Sequence, residues 1–193
     1  FQLRRPADVI VDFRGPRLAR SRANGRAIDP TFNGAHIRIP ARALRAGTNR
    51  LEFDFAARVA AAGASIIRVK DPSDSATYLY TLLVPSDANQ LFPCFDQPDL
   101  KARVTLTLTT PFGWTAVANG ARLRSDSTSR GVVHTFRPSE RISTYLIAFA
   151  AGPWVQFTSK ASRKPITLYA RKSRAGDVDA DSIILANDRA ATW

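Results

Sequence analysis

The stretch YTLLVPSDANQLFPCFDQPDLKARVTLTL, residues 80–108, decides the fold. It opens on an apolar run that reads as a strand and breaks at Pro85. Pro93 and Pro98 then frame the chain's only cysteine, Cys94, together with Asp96. The stretch resumes with Val104, Leu106 and Leu108 alternating with polar residues, ahead of Pro111-Phe112-Gly113. A strand, a proline-bounded turn and a second run of period two are consecutive pieces of a β domain.

The same pattern recurs outward in both directions. Val9, Val11 and Phe13 alternate before Gly15-Pro16, and Ile37 and Ile39 before Pro40. Leu51, Phe53 and Phe55 follow the turn Ala46-Gly47-Thr48-Asn49. Tyr145, Ile147 and Phe149 precede Gly152-Pro153, and Ile166 and Leu168 come near the end. Period-two alternation punctuated by Gly, Pro, Asn and Asp predicts a mainly β, antiparallel domain: a barrel, a sandwich or a curved saddle.

Helix signals are few. PARALRA, residues 40–46, has room for one turn or two. In the tail, Gly176-Asp177-Val178-Asp179 offers caps, and Ile183, Ile184, Asn187 and Ala191 fall at helical spacing. The expected organisation is therefore a β-rich domain over residues 1–172, followed by a linker and the start of a helix over 173–193 that leads into a further domain.

The composition is ordinary for a folded domain: 193 residues, 45% hydrophobic and 23% charged. No apolar run is long enough to span a bilayer, and no secretory leader is recognisable. A start at Phe1 and a complete lack of methionine suggest a piece of a longer protein. Cys94 has no partner for an internal disulfide, which fits a reducing compartment and is compatible with export.

The net charge of +12 invites a nucleic-acid reading. All but five of the 28 basic residues are arginine, scattered from Arg4 to Arg141 and beyond without a recognition helix, zinc finger or aromatic-basic signature. A solvated arginine-rich surface is the expectation, with no specific nucleic acid as partner.

Local chemistry is sparse. His36 and His134 are the only histidines, neither begins an H-E-x-x-H motif, and they are far apart in sequence. Both are expected on strand faces. Cys94, between Phe92 and Phe95, is expected as a buried packing thiol. There is no G-x-S-x-G elbow, P-loop or dinucleotide fingerprint, so the residues themselves indicate neither a catalytic residue nor a metal ligand in this chain.

The 80–108 stretch nevertheless strongly resembles the hallmark of the N-terminal domain of the aminopeptidase N family of zinc metallopeptidases (gluzincins). The family pattern runs Y/S-T-Q-x-E-P-x-x-A-R-x-x-F-P-C-F-D-E/Q-P-x-x-K-A. It is matched here by Thr81, Pro85, Ala88, Phe92, Pro93, Cys94, Phe95, Asp96, Gln97, Pro98, Lys101 and Ala102. STYLIAFAAGPW at 143–154 resembles the family's S-T-Y-L-x-A-F-x-x-G block. WTAVANG at 114–120 is similar to its strand and turn, and VDFRGPRLARSRANGRAI at 11–28 to its L-D-F-x-G…V-N-G stretch.

The resemblance implies a β-rich N-terminal domain whose first strands would precede Phe1. The G-x-M-E-N exopeptidase motif and the H-E-x-x-H…E zinc site would follow Trp193. It further implies zinc in the parent enzyme and none held by this chain, the catalytic domain of the same polypeptide as partner, and peptides as substrates. In such enzymes zinc polarises the scissile carbonyl and activates a water, and the motif's glutamate acts as general base. By the same resemblance Cys94 is packing, and Asp96 is a turn carboxylate that accepts backbone N–H groups.

One departure bears on function. The domain forms one wall of the family's substrate pocket, where the Gln and Glu of T-Q-x-E line the first side-chain pocket and help bind the free α-amine. Those positions are Leu82 and Val84 here. Lying two apart, they are expected on one strand face, giving an apolar wall. An aminopeptidase relying on another amine-binding glutamate, a relative of altered specificity, and an inactive homologue kept as a protein- or peptide-binding module are the readings this leaves, with a stand-alone β interaction module as a further class.

Overall fold

Alternating side chains set the first layer. Strand Val9–Asp12 pairs antiparallel with His36–Ile39, with Val9 opposite Ile39 and Val11 opposite Ile37. The alternation puts Val11, Ile37 and Ile39 inside with Phe13, all 3% exposed or less. Burying each of these side chains contributes about 1.5–3 kcal/mol. Ala23, Leu44, Leu51 and Phe53 close this first core. The computed structural model describes residues 1–191.

A neighbouring sheet joins Arg17–Ala23 to Leu51–Ala56 and, through a two-residue hairpin, to Arg26–Ala27. Asn24 and Gly25 form the hairpin turn with φ of 51° and 80°, the left-handed conformation that Asn-Gly supplies most readily. Arg20 and Asp54 bridge the outer face at 2.7 Å.

The central sheet has five strands in the order Thr115–Ala118, Phe149–Gly152, Thr77–Thr81, Ile66–Lys70, Val59–Ala60. All its pairings are antiparallel except the last, where Val59 and Ala60 run parallel to Ile66 and Ile67. A further, three-stranded sheet packs Thr107–Thr110, Gly131–Phe136 and Arg122–Thr128 side by side. Phe136 is buried with Ala116 and Ala151. The domain is mainly β and antiparallel, as the alternation predicts.

Gly120 holds a close crossing beside this sheet. A Cβ built there would lie 1.9 Å from the carbonyl oxygen of Arg137, whose own N–H donates to Ala121 O at 2.8 Å. Gly120→Ala must displace backbone, and we expect a loss of about 2–3 kcal/mol in a denaturant melt.

One expectation is corrected here. Tyr145, Ile147 and Phe149 do not share a strand: Thr144–Leu146 is a 3-10 turn, and the strand starts at Phe149. The hydroxyls of Ser143 and Thr144 bond Pro98 O and the Asp96 carboxylate, which curls the chain before it can extend. PARALRA supplies one turn, the three-residue 3-10 helix Ala41–Ala43, within the one or two expected.

At the end, a 3-10 segment Lys172–Asp177 leads into helix Ala180–Ala190, whose cap Asp179 accepts the N–H of Ser182 at 3.2 Å. The helix packs on the hairpin Val155–Thr158/Thr167–Ala170, and its Ile184 is buried. No helix among the described residues is long and apolar enough to cross a membrane.

Both histidines lie on strands. His36 is exposed. His134 is 2% exposed and wedged between two hydroxyls, its Nε2 2.9 Å from Thr110 Oγ1 and its Nδ1 2.9 Å from Ser125 Oγ. Burial, aided by the Arg122 guanidinium, holds its pKa below the ordinary 6.5. The unfolded chain therefore takes up this proton first. The contribution is full above pH 6.5 and is lost as pH falls below it through the native value. His134→Gln is expected to flatten that part of the stability–pH curve.

Candidate functional site

Strand Thr77–Thr81 runs between Ile66–Lys70 and Phe149–Gly152, so its exit point is held on both sides. Thr81 Oγ1 accepts the N–H of Phe149 at 3.0 Å and donates to its carbonyl at 3.3 Å. Leu82 N donates to Ser65 O at 3.0 Å. The strand ends at Thr81, so Leu82 and Val84 lie just beyond it rather than within it.

The in–out alternation continues even so. Leu83 is 2% exposed and packs with Ala88, Leu91 and Ile147, whereas Leu82 and Val84 are 54% and 59% exposed. These two apolar side chains do not fill the core. They stand together at the surface, where a carboxylate at either position would be solvated without displacing any packing.

The segment after them is a joint. Helix Ala88–Leu91 turns the chain back, and Cys94 forms an isolated antiparallel bridge with Asp12. Asp96 binds three donors: Asn89 N–H at 3.1 Å and Asn89 Nδ2 at 2.6 Å on Oδ2, and Thr144 Oγ1 at 2.6 Å on Oδ1. Its own N–H donates to Asp12 Oδ2 at 3.0 Å. The sequence reading anticipated backbone donors; one of the three is backbone, and two are side chains. Arg14 completes the joint, its backbone N–H on Asn89 O at 2.7 Å and its guanidinium on Asp87 at 2.8 Å.

Cys94 is half-buried within this joint. Burial, then the Asp96 and Asp12 carboxylates, push its thiol well above the ordinary range, so it is not a thiolate nucleophile near neutral pH. Its role is packing.

A concavity of about 870 Å³ lies between the first core and this joint, lined mainly by apolar residues such as Val9, Leu51, Phe53, Phe92 and Val104. Leu82 and Val84 are not part of it. Among the described residues no three His, Cys, Asp or Glu side chains come together as metal ligands. With both nitrogens of His134 on hydroxyls and Cys94 held protonated, the side chains present do not fit a zinc ion.

Residues 18–146 match the family model of the Peptidase M1 N-terminal domain. The chain belongs to this family. Among its relatives, aminopeptidase N of Streptomyces lividans is 31% identical over 192 residues. That match covers 96% of this chain and 22% of that protein. Human glutamyl aminopeptidase is 38% identical over 90 residues, 44% of this chain and 9% of that protein.

Solved structures share the fold. Native yeast LTA4 hydrolase superposes with a TM-score of 0.70 at 21% identity, covering 88% of this chain and 27% of that one. An M1 zinc metallopeptidase from Deinococcus radiodurans gives 0.64 at 21% identity, covering 87% and 40%. The chain thus spans well under half the length of these relatives.

Proposed function

We propose that this chain is the non-catalytic N-terminal β domain of a zinc-dependent aminopeptidase, and that Leu82 and Val84 form part of one wall of its substrate pocket. The observation that carries the reading is the paired exposure of these two side chains, at the positions where the resembling family places its Gln and Glu. Membership of the M1 family, and relatives called aminopeptidases, support peptide hydrolysis from the N-terminus by the longer polypeptide. Zinc and the hydrolytic groups belong, on this reading, to a catalytic domain of the same polypeptide. The boundary falls at about residues 173–180, with 173–193 as the linker and first helix.

The test compares the chain alone with the polypeptide carrying the catalytic domain. The longer protein is expected to contain one zinc and to release an N-terminal residue from an aminoacyl reporter, and to lose activity on chelation. The isolated chain should retain no stoichiometric zinc after dialysis and cleave nothing. One zinc per isolated chain would overturn the assignment.

Exposed hydrocarbon at 82 and 84 also supports a second reading, a homologue of altered or lost activity that binds peptides. A longer protein that binds peptides but hydrolyses none would select it.

A further inference from the structure

We propose that Arg26, Arg42 and Arg45 form a binding site for a small multivalent phosphate. They line a concavity of about 520 Å³ between the Asn24-Gly25 hairpin and the 41–45 turn. No carboxylate is part of its lining. This departs from the local habit: nearby Arg20, Arg38 and Arg50 each reach a carboxylate, at 2.7, 2.5 and 3.0 Å. Asp8 feels the Arg42 charge, but its hydrogen bonds go to Arg38 and to the Ala41 N–H at 2.7 Å.

The two loops that carry these arginines are held by a built frame. Asn49, only 3% exposed, clamps the two loops together. Its Oδ1 accepts Asn24 Nδ2 and the Arg45 N–H, both at 3.0 Å, and its Nδ2 donates to the Arg45 and Gly47 carbonyls at 2.7 and 3.1 Å. Asn24 Oδ1 in turn accepts the Arg50 N–H at 3.0 Å. Arg45 Nε donates to Thr48 O at 3.1 Å, which fixes the side chain while its terminal nitrogens stay available. The frame thus sets the loops carrying three like charges around one concavity with no carboxylate in its lining.

The chemistry favours phosphate over carboxylate. A planar carboxylate is satisfied by one guanidinium fork, whereas a di- or polyphosphate presents acceptor oxygens in several directions and enough charge for three. The volume falls in the range of small-molecule sites.

The test titrates the chain with inorganic pyrophosphate by calorimetry at about 0.15 M salt, where exposed charges are screened beyond roughly 8 Å. Saturable one-to-one binding is expected, weakened about ten-fold or more by the double variant Arg26→Gln/Arg42→Gln. Both side chains lie at the surface, so the ligand-free melting temperature of this variant should be unchanged or slightly higher. Arg58→Gln/Arg130→Gln, an equal loss of charge elsewhere, should bind as the parent does. Equal weakening in both pairs, absence of saturation, or equal competition by glutarate would overturn the site. Vesicles containing a phosphatidylinositol phosphate separate the sources: capture through the same arginines makes a lipid headgroup the ligand, and no capture makes it a soluble anion.

Discussion

Asp96→Ala is expected to cost the domain about 3–4 kcal/mol in a urea unfolding experiment. The carboxylate holds Asn89 N–H, Asn89 Nδ2 and Thr144 Oγ1 within 3.1 Å. Hydrogen bonds to a charged group contribute about 1.5–3 kcal/mol each, and shared geometry makes them less than additive. Alanine removes all three and leaves the donors facing one another. Asp96→Asn separates charge from geometry. The amide keeps one acceptor oxygen for Asn89, and the Thr144 hydroxyl can rotate to accept from its NH2 group. The loss should then fall to about 1–2 kcal/mol. Equal, small effects from both variants would show that the joint is held by its backbone bridges and not by this side chain.

The second large effect concerns Val84 in the longer enzyme and rests on the proposed pocket wall. Val84→Glu should tighten binding of substrates with a free α-amine by about 1.5–3 kcal/mol, roughly ten- to a hundred-fold. N-blocked analogues, which present no ammonium, should gain nothing. With Val84 59% exposed, the new carboxylate costs little fold stability, within about 0.5 kcal/mol. Leu82→Gln should shift preference away from large apolar first residues, since it sets an amide against them. A melting temperature that falls by several degrees with an unchanged amine preference would end the pocket-wall reading.

The fold was legible where apolar residues alternate. Val9 to Phe13 and Ile37 to Ile39 declare their buried face outright, because one side of the sheet packs and the other meets water. Strand Arg122–Thr128 was not legible: all seven residues are exposed, so no apolar period marks it, and its pairing with Gly131–Phe136 defines it. Arg17–Ala23 is hidden in a similar way, with Ser21 and Ala23 as its buried residues and a break in register between Leu18 and Ser21. Tyr145 to Phe149 misleads for the opposite reason, as its alternation is genuine but Ser143 and Thr144 are pulled out of line by distant acceptors.

The candidate site divides likewise. The surface placement of Leu82 and Val84 follows from alternation about Leu83, which the apolar run itself conceals, since all three are hydrocarbon. The partners of Asp96 were only partly readable. Asn89 is seven residues away and Thr144 forty-eight, and nothing in a local window announces the second. The Arg26, Arg42 and Arg45 cluster was masked by the abundance of arginine; what sets it apart is the lack of a carboxylate in its lining, a property of three dimensions.

The joint around Asp96 also sets a timetable. It ties Asp12 to residues 84 positions later and Thr144 a further 48 beyond, so no part of it closes until most of the chain exists. During synthesis the strand Val9–Asp12 can pair with His36–Ile39 early, yet its other anchor, Cys94, emerges much later. Ordering such distant segments makes the encounter slow, as in other β folds dominated by non-local pairing, whose folding takes about milliseconds to seconds. Ile147, which packs with Leu83 and Leu91, follows Thr144 by three residues, so this apolar cluster is completed only when the joint can close.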